Sequence, residues 1–277
     1  AAMCYAELSS MLPVSGSAYS YAYASLGELA AWFIGWLMLL EYGIAGSTVA
    51  VGWSGYLVSF LKDFGLIIPP ELAAATGSSI ILADGTPGTA LFNLPAFLGL
   101  SVVTTLLVMG VKESVTINNI IVFIKVSVIL LFIGVGFMYI NPDNWHPFIP
   151  ENTGEYGSFG LSGILRGAGY IFFAYVGFEA VSTAAQEARN PQRDVPIGIV
   201  GSLVVCTILY MLVSLVLTGI VKYDTLNVPD PIAVAVDAIG LPWLAFLVKV
   251  GAIAGLSSVM LVLMYGQTRI FYTMAKD

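Results

Sequence analysis

Long apolar runs, separated by polar stretches rich in Gly and Pro, organise the whole chain. They cover residues up to about 12, then about 28–61, 95–111, 116–140, 161–185, 197–221 and 242–265. Their continuity and length suit helices in hydrocarbon, where a crossing takes about 20 mostly apolar residues, rather than the shorter alternating segments of a barrel. The pattern predicts an all-α integral membrane protein with seven transmembrane helices. The second run is longer than one perpendicular crossing requires, so its helix is expected to tilt or to project beyond the bilayer.

The intervening stretches carry their own signals. Residues 62–94 hold Pro69-Pro70, Gly85 and Gly88, which no helix runs through easily, and read as a long external loop. Pro13, Gly16 and Gly27 bracket a segment, 14–26, rich in Ser, Ala and Tyr. Its Tyr19, Tyr21 and Tyr23 are too polar at their tips for bulk lipid, so an interfacial or re-entrant piece is expected. Asn190-Pro191 should end one helix, with Asp194 capping the next and Pro196 in its first turn.

Composition agrees and narrows the function classes. The chain is 58% hydrophobic and 10% charged, against roughly a quarter charged in soluble domains. A net charge of −7 without a basic patch argues against a nucleic-acid partner. Cys4 and Cys206 make no disulfide framework, and His146 sits in a polar stretch beside Trp145 and Pro147. With no metal-ligand cluster and no Ser/Cys–His pairing, neither a cofactor nor enzyme chemistry is expected. Lys112, Arg189, Arg193, Arg269 and Lys276 fall on one set of loops, with Lys62, Lys222 and Arg166 on the other. The positive-inside rule puts the first set, including loop 186–196, in the cytoplasm.

Ionisable residues within apolar runs are costly and usually face a cavity. Lys125 lies near the middle of its span, either serving function or snorkelling. Glu41 is also deep, and either carries a proton or bonds a neighbouring helix. Glu179 is nearer the cytoplasmic end of its helix, and Lys249 is expected to snorkel. Residues 167–178 (GAGYIFFAYVGF) combine aromatics with spaced glycines. Such a stretch makes either ordinary close helix packing or a broken helix whose freed backbone groups bind a polar substrate. Ser257 and Ser258, after Gly255, can offer hydroxyls to an ion or amine, or bond back to their helix.

Three segments carry a family resemblance: residues 5–19 (YAELSSMLPVSGSAY), 187–196 (EARNPQRDVP) and 266–277 (GQTRIFYTMAKD). Together they resemble the amino acid–polyamine–organocation superfamily, most closely its cationic amino acid transporter branch. The resemblance implies a partial LeuT-like fold of two inverted repeats, with the seven spans as its second to eighth helices. Residues 1–277 would then be one transmembrane domain, 1–140 belonging to the first repeat and 158–277 to the second. It further implies that the chain is the middle of a larger protein, lacking a first helix, and does not transport by itself.

For the site, the resemblance makes 167–178 the broken sixth helix. Phe172, Phe173, Ala174, Tyr175, Val176 and Gly177 would form the substrate site, with Phe172 or Phe173 as the gate. It likens Lys125 to a lysine that stands where sodium-coupled members hold Na⁺, with Ser257 and Ser258 alongside, and Glu41 to a third-helix glutamate of the branch. The implied function is secondary active amino-acid transport in the cell membrane, by alternating access and coupled to protons. The expected partners are an amino-acid substrate, protons and the lipid bilayer. A sodium-coupled symporter or an exchanger is the alternative, and a seven-helix receptor a more remote one.

Overall fold

The computed structural model describes the chain apart from residues 13–15, 83–84, 111–114, 184–187 and 277; at 115–118, 180 and 183 only the backbone is described. Pro13, Lys112 and Glu187, which entered the readings above, lie outside the described residues. Among the described residues, ten α-helices and one hairpin follow in order: α1 (Ala2–Met11), α2 (Ser17–Leu26), α3 (Glu28–Asp63), β1 (Ser79–Ile81), β2 (Pro87–Thr89), α4 (Leu94–Val108), α5 (Val115–Gly136), α6 (Gly160–Ile171), α7 (Ala180–Thr183), α8 (Pro191–Ile220), α9 (Pro231–Ile239) and α10 (Pro242–Lys276).

Among the described residues, α3, the stretch Asn119–Tyr139, α8 and α10 are long and apolar enough to cross a membrane. In Asn119–Tyr139 and in α8, only 11% of the apolar window is buried. Apolar helix faces left that exposed suit a lipid environment. At about 1.5 Å per residue, the 36-residue α3 exceeds a bilayer core, as its run of apolar residues predicts. The other three expected spans are shorter: α1 has 10 residues, α4 has 15, and α6 has 12 before its helix breaks.

Local chemistry explains the helix ends. Asn93 caps α4, its side-chain oxygen accepting the Ala96 N–H at 3.0 Å while its amide donates to Ser54 on α3 at 2.8 Å. Gly240 stops α9 in the left-handed region at φ 73°, where a side chain would clash with the backbone. At the start of α8 the expectation is corrected. The helix begins at Pro191, and Asp194, already inside its first turn, reaches back to accept the Asn190 N–H at 3.2 Å. Proline needs no donor in a first turn, so Asn190-Pro191 starts this helix.

The chain divides into two compact units that interleave along the sequence, 1–45, 146–210 and 265–277 in one, 46–145 and 211–264 in the other. In the first, Val195 and Ile199 of α8 form a core with Tyr5 of α1 and with Phe178 and Val181. The end of α10 packs on α3, Gln267 donating to the Leu39 carbonyl at 3.1 Å. A Cβ at Gly266 would lie 2.9 Å from the Tyr42 ring, so the two helices meet through a glycine. Within segment 14–26, α2 carries Tyr19 and Tyr21 buried and Tyr23 exposed.

The second unit has two cores. Phe132, Val216, Val236, Leu244 and Val248 join α5, α8, α9 and α10, while Ala50, Ala96, Val103 and Met260 join α3, α4 and α10. The stretch 62–94 also holds the antiparallel hairpin of β1 and β2, with Ile80 opposite Gly88. Lys249, expected to snorkel, has carboxylate partners at the end of its stem. It is 1% exposed and its ammonium lies 2.8 Å from Asp63 and 3.0 Å from Asp237. Two carboxylates, from the end of α3 and from α9, bring counter-charge to the lysine, so it need not reach for water. Both carboxylates line a cavity of about 410 Å³ with Phe64, Gly240 and Phe246.

Candidate functional site

In the first unit the α-helical pattern stops at Ile171. Phe172–Tyr175 form a 3₁₀ turn, Val176 is extended at ψ 131°, and Gly177 has φ 106°. The Val176 N–H bonds the Phe173 carbonyl at 3.1 Å, an i to i−3 bond in place of the α-helical i−4 bond. The break expected between Ile171 and Phe178 is therefore present. Its cause is local, because a φ of 106° is open to glycine and strained for other residues. The 3₁₀ turn and the glycine conformation take the carbonyls from Phe173 to Gly177 out of the α-helical i to i−4 pattern, the pattern by which backbone groups in a membrane ordinarily find partners within their own segment.

Several side chains hold the break open. Glu179 is 5% exposed; one of its oxygens accepts the Gly177 N–H at 3.0 Å and the other accepts the Tyr42 hydroxyl at 3.1 Å. The Tyr210 hydroxyl donates to the Ala174 carbonyl at 3.0 Å, and the Tyr175 and Thr207 hydroxyls share a hydrogen bond of the same length. The Ala174 carbonyl is thus occupied by the protein itself. Phe172 and Phe173 are 58% and 38% exposed, so neither ring is spent in the core. Phe178 instead packs edge-on against Tyr5, with centroids 5.4 Å apart.

In the second unit Lys125 is half-buried, its stem lying over Gly255 and its ammonium donating to Ser258. Ser258 is 9% exposed and donates its own hydrogen to the Gly255 carbonyl at 3.2 Å. Ser257 is engaged differently: it donates to the Ile253 carbonyl at 2.8 Å and accepts the Trp53 indole N–H at 2.9 Å. Of the expected coupling group, then, Lys125 and Ser258 are in contact, while Ser257 pairs with a residue of α3. Glu41 is exposed on α3, in the other unit from Lys125 and adjacent in sequence to Tyr42.

Sequence reasoning missed the partners. Glu179 stood as an open case, and Tyr42, Tyr210, Thr207 and Trp53 were not singled out. One signal was available: a carboxylate two residues beyond a glycine that ends a helix is placed to take that glycine's free N–H. The same geometry gives a prediction. Gly177→Ala should lower thermal stability in detergent by about 1–2 kcal/mol, although a Cβ there meets nothing within 4 Å. Gly46→Ala, equally open but without a positive φ, is the control and should melt at or above the wild-type temperature. Equal melting of the two variants would show that the Gly177 conformation carries no strain for alanine.

Comparison with known proteins adds an independent finding. The model of the family described as amino acid permease matches residues 1–277. The chain is 50% identical to a methylthioribose transporter of Bacillus subtilis and 46% identical to the branched-chain amino acid permease BcaP of the same organism. Each alignment takes in 100% of this chain and 57% of the relative. A vacuolar cationic amino acid transporter 4 of Arabidopsis thaliana is 41% identical, again over 100% of this chain and over 44% of the relative. This chain thus spans about half the length of these curated relatives. All three carry transporter or permease names, and none is named as an enzyme.

Proposed function

The chain belongs to the amino acid permease family, and from that premise we propose that it is the transport core of a proton-coupled amino-acid permease of the cell membrane, working by alternating access in a LeuT-like fold. The observation that carries this reading is the break at Phe172–Gly177, held by Glu179. A spanning helix gives up its internal hydrogen bonds only where the freed groups line a cavity or meet a ligand. Carbonyls outside the regular helix pattern, such as those of Val176 and Gly177, suit the ammonium of an amino acid, which supplies three N–H donors. Phe172 or Phe173, both exposed, is then free to swing over the bound substrate.

Residues 1–140 and 158–277 are proposed as parts of the two inverted repeats, with loop 186–196 in the cytoplasm. The coupling centre is Lys125 with Ser258. A fixed ammonium at that place repels a second cation, which supports protons over sodium as the driving ion. Glu41, one residue before the Tyr42 that holds Glu179, is the carboxylate placed to exchange a proton beside the break, and Ser257 completes the polar turn of α10.

The test is uptake of labelled amino acids by liposomes carrying the full-length protein that contains this sequence, under an inward proton gradient, an inward sodium gradient, or neither. Accumulation driven by protons alone is expected. Sodium-driven accumulation would replace the coupling assignment, and exchange without any gradient response would make the protein an exchanger. One finding favours a second cargo: a 50% identical relative bears the name methylthioribose transporter. The uptake panel therefore includes methylthioribose, and its transport with all amino acids refused would overturn the amino-acid reading.

A further inference from the structure

The turn of α10 at Ser257 and Ser258 has a division of labour that sequence did not reveal. Each hydroxyl donates its single hydrogen to a carbonyl of its own helix, Ser257 to Ile253 at 2.8 Å and Ser258 to Gly255 at 3.2 Å. Only lone pairs are left to face outward. Ser258 offers its lone pair to the ammonium of Lys125 on α5, and Ser257 offers its own to the neutral indole N–H of Trp53 on α3. Trp53 is itself wedged in place, because a Cβ at Gly99 of α4 would lie 2.9 Å from its ring.

We propose that Trp53 is a positioning and selectivity residue for the Lys125 centre. By donating to Ser257 it occupies the oxygen that would otherwise serve as a second acceptor or cation ligand on this turn. It also fixes the rotation of α10 at which Ser258 meets Lys125. A donor N–H and a cation compete for the same lone pair, so a hydroxyl held by an indole does not ligate a monovalent ion. The bond between Trp53 and Ser257 spans 204 residues of sequence and ties α3 to α10 one residue from the lysine contact. The inference rests on the coupling role proposed for Lys125.

The test uses the full-length protein in liposomes and two readouts: accumulation under an inward proton gradient, and counterflow, which needs substrate binding and alternation but no gradient. Trp53→Phe keeps most of the ring against Gly99 and removes the N–H. It should lower accumulation about fivefold, the worth of one hydrogen bond, with counterflow preserved. Ser257→Ala should do the same, and the double variant should be no worse than either single one, because both remove the same bond. Trp53→Phe falling equally in both readouts would mark plain structural damage, and no fall in either, or additive falls in the double variant, would equally overturn the proposal. Lys125→Ala runs alongside. If it leaves accumulation intact, the coupling reading fails and this inference with it; if it uncouples while Trp53→Phe is silent, only the inference fails.

Discussion

Lys125→Ala is expected to abolish proton-driven accumulation of substrate while leaving substrate binding within about threefold of wild type, because the lysine is not among the groups proposed to hold the substrate. An ammonium in a spanning helix persists only with a role or a partner that offsets its desolvation. Lys125 has Ser258 among its partners, and a hydroxyl, unlike a carboxylate, does not lock the proton on. Lys125→Arg separates the possible roles. A guanidinium keeps the charge and can reach Ser258, but it does not release a proton in the working pH range. If the lysine carries the proton, arginine should be as uncoupled as alanine. If arginine restores accumulation, the charge is structural and the proton travels elsewhere. Measuring accumulation and equilibrium substrate binding on the three proteins decides between these outcomes.

The second large effect concerns stability. Asp63→Asn with Asp237→Asn should destabilise the protein by about 3 kcal/mol, the lower end of the cost of breaking a buried ion pair. The lower end applies because the two carboxylates are 45% and 51% exposed, so part of their interaction is already screened. What drives the loss is the lysine: at 1% exposure its ammonium loses both counter-ions, and it must either bear an unpaired buried charge or give up its proton. Asp230, at the N-cap of α9, is a poor substitute. Burial pushes its carboxyl above the ordinary value and so disfavours its charged form, although a bond from Ser59 opposes this. Adding Lys249→Met to the double variant should recover most of the loss, because an apolar chain of similar length needs no counter-charge in the same place. Thermal melting in detergent is the measurement, and a double variant that melts with the wild type would show that the three charges do not hold α3, α9 and α10 together.

Much of the chain could be read from order alone. The apolar runs and the polar stretch of 62–94 foretold membrane helices and a long loop, while the glycine-spaced aromatics of 167–178 left a broken helix as one of two readings, the one the family resemblance favoured. These features are local. A backbone in hydrocarbon must satisfy its own hydrogen bonds, so composition over about 20 residues decides whether a helix forms. A positive φ at one glycine is likewise decided within a few residues. The family motifs are local strings too, which is why they could be matched before any fold was known.

The polar partnerships were not legible in the same way. Lys249 looked like a snorkelling residue until Asp63, 186 positions away, came to meet it. Ser257 and Ser258 looked equivalent until Trp53 and Lys125 divided them, and Glu179 stayed ambiguous until Tyr42, 137 positions earlier, closed on it. A polar side chain in an apolar helix announces that it needs a partner, and sequence alone determined that need. Which partner arrives depends on the rotation and depth at which helices far apart in the chain pack together, and only the tertiary structure decided that.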